Sequence, residues 1–320
     1  MKKLIIVFLA VIFLVLLLPF AIICIIGRGG EEQNSETEQN GTVSVYISDE
    51  ERAIDMDISS YLKSVVAAEM PADFEKEALK AQAVAARTYL YSHIAEARKG
   101  NIAENHNGAA VCTDSAHCQA YIPERKCREN WGDSADEKWN KISSAVDETA
   151  GQIMTYNGEI ISAVFHSTSS GITEAAVDVW GNDIPYLQSV SSEGDTQSPK
   201  YYSELTVSES EFKNTVDSKI SGTDWSKGIA ENIVRSNAGG IVSLDVGGVN
   251  IKGTQLRNIF SLRSSNIDIT QENGNVKMSV KGFGHGVGMS QYGANYMAEQ
   301  GDDYRKILQT YYTGVEIETR

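Results

Sequence analysis

S-Y-L-K-S-V-V-A-A-E-M-P, running from Ser60 to Pro71, carries a single carboxyl, Glu69, in a stretch almost free of charge. On a helix, Leu62, Val65, Val66 and Glu69 follow an i, i+3, i+4, i+7 spacing and share one apolar face. A carboxyl held against Val, Ala and Met loses hydration, which raises its pKa toward that of a general acid. Pro71 disfavours helical geometry at Met70 and ends the helix just after Glu69. The carboxyl then stands at an element end, where a cleft can reach it. The alternative reading is a buried Glu tied to a nearby Arg, with Arg87 the obvious partner.

Upstream, Val43, Val45 and Ile47 alternate with Thr42, Ser44 and Tyr46, as in a half-buried strand. Ser59 or Ser60 is the expected N-cap of the Glu69 helix. Downstream, a helix is predicted from Asp73 to Lys99, with Asp73 as N-cap and Gly100 as C-cap. Its face of Ala81, Ala85, Thr88, Ser92 and Ala95 is small enough for close packing. Arg87 and Tyr89 lie near its middle, and either could point back toward Glu69.

Asn101 to Trp131 reads as irregular and holds His106, Cys112, His117 and Cys118 within thirteen residues. Two thiolates and two imidazoles can close a tetrahedral zinc site, structural because all four ligands come from the protein. Disulfide formation is the competing use of these cysteines, and Cys127 makes the trio odd. From spacing alone both uses stay open.

Ala135 to Thr149 is a predicted helix with Trp139, Ile142 and Val146 on one side. Gln152–Tyr156 and Glu159–Phe165 flank Asn157-Gly158, the dipeptide of type I′ hairpins. The second strand runs into H-S-T-S-S-G, His166 to Gly171, small polar residues suited to a hydroxyl-rich ligand. Ser189 to Pro199 is a polar loop. Strands are expected at Ile241–Val246, Ile267–Thr270 and Val276–Lys281, with a turn at Asn273-Gly274. Helices are expected at Glu209–Lys219 and Gln255–Arg263. In G-F-G-H-G-V-G-M-S-Q-Y-G-A, Gly282 to Ala294, glycines surround His285 and allow close backbone approach before a helix begins. A phosphate loop is excluded because no Lys follows the glycines. With no repeat and no βαβ period, the expected class is α+β, mixed short strands and helices around a groove, preceded by one transmembrane helix.

The chain has 320 residues and a net charge of −15, with no evident basic patch, so a nucleic-acid partner is not indicated. Leu4 to Ile26 is apolar, broken only by Pro19, and long enough to span a bilayer. Lys2 and Lys3 before it, and acidic residues after Arg28, put the N-terminus inside and the body outside the cell membrane. A signal peptide cut near Gly27 to Gly30 is the rival reading. The expected organisation is a cytoplasmic stub and anchor over 1–28, a flexible linker over 29–41, and an extracytoplasmic catalytic domain of two lobes over 42–320.

The anchor, V-V-A-A-E-M-P (Val65 to Pro71), Q-A-V-A-A-R-T-Y (Gln82 to Tyr89), V-C-T-D-S-A-H-C-Q-A-Y (Val111 to Tyr121), F-H-S-T-S-S-G (Phe165 to Gly171) and G-H-G-V-G-M-S-Q-Y-G-A (Gly284 to Ala294) occur in that order. Together they resemble the stage II sporulation protein D family, membrane-anchored peptidoglycan lytic transglycosylases of endospore formers. The resemblance implies that Glu69 is the catalytic acid. It favours structural zinc on His106, Cys112, His117 and Cys118. It also implies glycan strands stripped of stem peptides as substrate, stage II sporulation proteins P and M as partners, and the septal membrane at engulfment as the location. One departure is the short segment between the first strand and the Glu69 helix.

Hydrolytic glycosidases usually need two carboxylates, and only one stands in a suitable setting here. A transglycosylase can work with one, because the muramic C6 hydroxyl attacks its own anomeric carbon at high effective molarity. Arg87, His166, Ser167, Ser169, His285, Ser290, Gln291 and Tyr292 are the candidates for lining the glycan groove. A competing function is a non-catalytic amidase-enhancer or wall-binding module, since the E-M-P motif is shared with such proteins. A zinc hydrolase would need a pattern such as H-E-x-x-H, which is absent.

Overall fold

The computed structural model describes residues 41–320. Alternation at Val43 and Val45 yields strand β1 (Thr42–Ile47), with both valines buried. The chain turns at Glu51 into β2 (Arg52–Asp57), antiparallel to β1 with Thr42 opposite Asp57. On the other edge of β1, β3 (Val111–Cys112) pairs in parallel, Val45 facing Val111.

Helix α1 (Ile58–Glu69) follows β2 directly and buries Ile58, Tyr61, Leu62, Val65 and Val66. Its cap is Asp57 rather than Ser59 or Ser60: the Asp57 carboxylate accepts the Ser60 N–H at 2.8 Å. The helix stops where Pro71 dictates, with Met70 extended at φ −116°, ψ 142°. Helix α2 (Lys76–Arg98) begins later than Asp73. A turn from Phe74 N–H to Pro71 O (3.0 Å) precedes it, and Asp73 pairs with Lys138 at 3.0 Å. Gly100, at φ +88°, closes the far end as expected.

The segment after α2 is irregular only as far as Pro123, where α3 (Glu124–Trp131) starts. Periodicity missed α3 because it buries Cys127 alone. Helix α4 (Ala135–Asp147) buries Trp139, Ile142, Ala145 and Val146, and packs on α1 and α2.

Asn157 and Gly158, both at positive φ, join β4 (Gln152–Tyr156) to β5 (Glu159–Ile160). The second arm is far shorter than Glu159–Phe165. Phe165 and His166 instead form β6 (Phe165–His166), paired in parallel with Met289 and Ser290. Helix α5 (Ala176–Trp180) lies in the chain that follows.

From Tyr202 to Lys281 the chain builds a second hydrophobic core around Phe212, Leu244, Leu256, Val276 and Met278. Its elements are β7 (Tyr202–Ser208), α6 (Glu209–Asp217), β8 (Glu231–Arg235), β9 (Ile241–Val246), β10 (Val249–Lys252), α7 (Gly253–Ile259), β11 (Ile267–Glu272) and β12 (Asn275–Lys281). They form two three-stranded sheets, ordered β10-β9-β8 and β11-β12-β7. The β11–β12 turn is Asn273-Gly274, as its sequence predicts. This lobe is entered and left at one place, where the Gly282 N–H bonds Tyr201 O at 2.7 Å.

The chain then returns to the first core through β13 (Met289–Ser290), α8 (Gln291–Glu299), α9 (Tyr304–Tyr311) and β14 (Glu316–Thr319). The β13–β6 approach requires glycine at 288. A Cβ there would lie 2.1 Å from Val164 O, and φ is +71°. The result is a mixed architecture of helices and short sheets. Among the described residues no helix is long and apolar enough to cross a membrane. The span read at Leu4–Ile26 and the linker up to Asn40 lie outside the described residues.

Candidate active site

Glu69 ends α1 half-buried, with one neutral donor on each carboxyl oxygen. The Ala120 N–H donates to Oε1 at 2.7 Å, and the Gln291 side-chain amide donates to Oε2 at 3.0 Å. The same amide lies 3.4 Å from the Gln82 side-chain oxygen. Burial raises the Glu69 pKa, the two donors pull it partway back, and no cation is among the groups that shift it. The carboxyl therefore has the desolvated setting that its apolar helix face implied.

Arg87 is 1% exposed and donates to the carbonyls of Val146 (3.1 Å) and Gln152 (3.4 Å). The structure thus places it inside the first core, tying α4 to β4, and not on an open wall. Its middle position on α2, surrounded by alanines, drives it inward. Arg87→Ala is expected to cost about 3–5 kcal/mol, by cavity formation and the loss of two carbonyl partners. Urea unfolding checks this, and a change below about 1 kcal/mol would contradict the core role.

The two site histidines clamp the backbone of one residue, Val287, from both sides. His166 Nδ1 lies 3.1 Å from Val287 O, while the Val287 N–H donates to His285 Nδ1 at 3.1 Å. These partners assign the proton to Nδ1 of His166 and to Nε2 of His285. Burial pushes His166 down to about 4, and burial together with His166 and Arg257 pushes His285 down to about 3. Both rings are neutral near pH 7 and brace the glycine-rich turn. The His285 ring also stands 5.4 Å from that of Trp180, which is 41% exposed.

The serines of the two small-residue motifs converge on a residue that spacing did not single out. Asp195, in the loop read as merely polar, is fully buried. It accepts the Ser169 N–H at 3.0 Å, the Ser169 hydroxyl and the Ser290 hydroxyl. Ser169 and Ser290 are themselves buried, so both stand behind the surface and not on it. Ser167 is half-buried, and its carbonyl accepts the Tyr292 N–H at 3.1 Å. Tyr292 packs edge-on to Phe74 at 5.0 Å between ring centroids. Of the eight residues expected to line a groove, Gln291 is the one hydrogen-bonded to Glu69.

His106, Cys112, His117 and Cys118 come together as their spacing allows. Their four donor atoms all lie within 4.8 Å of one another. His106 Nε2 is 3.0 Å from His117 Nδ1, and the Cys118 sulfur is 3.4 Å from each of these nitrogens. Such separations suit a tetrahedral ion with bonds of about 2.0–2.3 Å. Cys112, Cys118 and Cys127 are all free thiols. The group is joined to Glu69 through its own loop, since Ala120, whose N–H bonds Glu69, is two residues past Cys118.

Two cavities do not include Glu69. One of about 690 Å³ is lined by His93, Lys99, His106, His117 and Arg320 among others. Another of about 430 Å³ is lined by Tyr61, Tyr121 and Trp139 among others.

At the centre of the site, then, is a helix-end carboxyl gripped by a loop bearing His and Cys and by the start of a helix after a glycine run. A family model described as stage II sporulation protein (SpoIID) matches residues 47–156. Stage II sporulation protein D of Bacillus amyloliquefaciens is 37% identical over 276 residues, 86% of this chain and 78% of that protein. Stage II sporulation protein D of Bacillus subtilis (strain 168) is 36% identical over 281 residues, again 86% and 78%. An amidase enhancer of the same Bacillus subtilis strain is 28% identical, over 80% of this chain and 40% of that protein. The chain belongs to the stage II sporulation protein D family.

Proposed function

We propose that this protein is a peptidoglycan lytic transglycosylase with Glu69 as its single acid–base group. The observation that carries the reading is the state of that carboxyl: desolvated, raised in pKa, and held by two neutral donors without a cation. Burial favours the acid, while the Ala120 N–H and the Gln291 amide keep the carboxylate within reach. A group that must donate and then accept a proton needs both forms.

In the proposed cycle, protonated Glu69 gives its proton to the glycosidic oxygen between MurNAc and GlcNAc as the C1–O bond breaks. The C6 hydroxyl oxygen of the same muramic residue bonds to C1. Its proton passes to the Glu69 carboxylate, which restores the acid and leaves a 1,6-anhydro end. No water is consumed, so a second carboxylate to activate water is not needed.

His106, Cys112, His117 and Cys118 would hold a structural zinc ion. The donor chemistry fits: two sulfurs and two imidazole nitrogens, all within 4.8 Å of one another, are a zinc donor set. When bound, zinc supplies a cross-link and no reaction step. The proposed setting is the outer face of the septal membrane, with an N-terminal anchor. The proposed partners are stage II sporulation proteins P and M, and the proposed substrate is glycan freed of stem peptides.

A second reading follows from the amidase-enhancer relative: a module that binds wall or a hydrolase without cutting glycan. Mass spectrometry of products from denuded glycan separates the two. Anhydro ends are expected from the wild-type protein. Reducing ends would mean hydrolysis, and intact glycan would favour the binding module.

A further inference from the structure

We propose that Asp195 is a positioning residue for Glu69, acting through Ser290 and Gln291. This rests on the reading of Glu69 as the acid–base group. Asp195 lies in the short turn Glu193–Gln197, packed against α8. Its carboxylate is fully buried, and the groups that bond it are the hydroxyls of Ser169, Ser192 and Ser290 and the Ser169 N–H. A buried carboxylate held only by neutral donors is costly to maintain, so its position demands a use.

That use lies one residue beyond Ser290. The Ser290 hydroxyl donates to Asp195, and its oxygen caps α8 by accepting the Gly293 N–H at 3.3 Å. The Ser290 backbone is held by β13, a strand of only two residues paired with β6. The Tyr292 N–H adds a bond to Ser167 O at 3.1 Å, and Asp195 adds a tie to the Ser290 side chain itself. Gln291 is the first residue of that helix, and its amide sets the Oε2 side of Glu69 at 3.0 Å. Asp195 anchors the hinge from which Gln291 reaches. On its other oxygen it fixes Ser169, and through Ser192 it joins Tyr311, whose hydroxyl is 2.6 Å from the Ser192 hydroxyl. The start of α8, the serine loop and α9 are thereby locked to one carboxylate.

The test uses full-length protein and a double-mutant cycle. Asp195→Asn is expected to lower kcat for anhydro-end release about tenfold while KM stays within about twofold. In a Gln291→Ala background the same change should add less than about a twofold further loss. A loss that multiplies in full in that background would show that Asp195 acts by another route, and would overturn the proposal. Should Asp195→Asn fail to fold, Ser290→Ala breaks the same link and is judged by the same cycle. A readout independent of activity is the Gln291 side-chain amide resonance in protein labelled with 15N-glutamine. It should shift in Asp195→Asn, and an unchanged resonance refutes the link. If wild-type protein releases no anhydro ends, the acid–base reading of Glu69 fails, and the resonance alone decides the positioning role.

Discussion

Glu69→Gln is expected to abolish release of anhydro-sugar ends while leaving the fold intact. The loss should be on the order of 10²–10⁴-fold, the usual contribution of general acid–base catalysis, and should reach the upper end because the one group acts in both half-steps. Shape is nearly conserved, and the new amide oxygen can still accept the Ala120 N–H. Stability should respond in the opposite direction. Burial lifts the Glu69 pKa above its ordinary value of 4.5, so between that value and the folded one the native state binds the extra proton. The stability tied to this proton is fully present below the unfolded value and is lost as pH rises through the folded one. Gln removes that dependence, so the variant should gain stability relative to wild type at pH 7 and lose the advantage near pH 4. Urea midpoints at both pH values check the sign. Anhydro ends released by Glu69→Gln at the wild-type rate would refute the role.

Removal of the proposed zinc ion is expected to have the next largest effect. Between Asn101 and Pro123 the regular structure is one 3₁₀ turn, Glu104–His106, and the two residues of β3. The proposed ion would supply the cross-link that this stretch otherwise lacks. Structural zinc binds with an apparent free energy of about 10–16 kcal/mol in small peptides near neutral pH. Even if only about 3 kcal/mol of that reached the global transition, Tm would fall by roughly 6–12 °C. Cys118→Ser, or treatment with a chelator, should produce this loss together with protease cleavage inside the stretch. Metal analysis of wild-type protein should find one zinc per chain. Activity should fall as well, because the loop delivers the Ala120 N–H to Glu69. A metal-free protein with unchanged Tm would remove the structural role.

The parts of this molecule that could be read from its sequence are those written at short range. The Glu69 face depends on residues within seven positions, and the His/Cys group on residues within thirteen, so spacing alone exposes both. Hairpin turns at Asn157-Gly158 and Asn273-Gly274 are equally local. The parts that escaped are set by distant partners. Gln291 reaches Glu69 across 222 positions, and Ser290 reaches Asp195 across 95. No periodicity carries that information, so Asp195 looked like any polar loop residue. Two of the three serines expected at the sugar, Ser169 and Ser290, bond a buried carboxylate instead. Arg87 was misplaced for a related reason, since a charged residue amid alanines gives no sign that backbone carbonyls wait for it. Strand β7 was overlooked because its alternate positions are only half covered, which blurs its pattern.

The stem at Tyr201 and Gly282 brings both ends of the second lobe to one place. Its two ends touch there, with the Gly282 N–H on Tyr201 O at 2.7 Å, but they are not its only link to the first core. The lobe therefore buttresses the serine loop and the glycine-rich turn: Ala238 O accepts the Ser170 hydroxyl, Gly240 N–H reaches the Glu174 carboxylate, and Arg263 O accepts the Gly284 N–H.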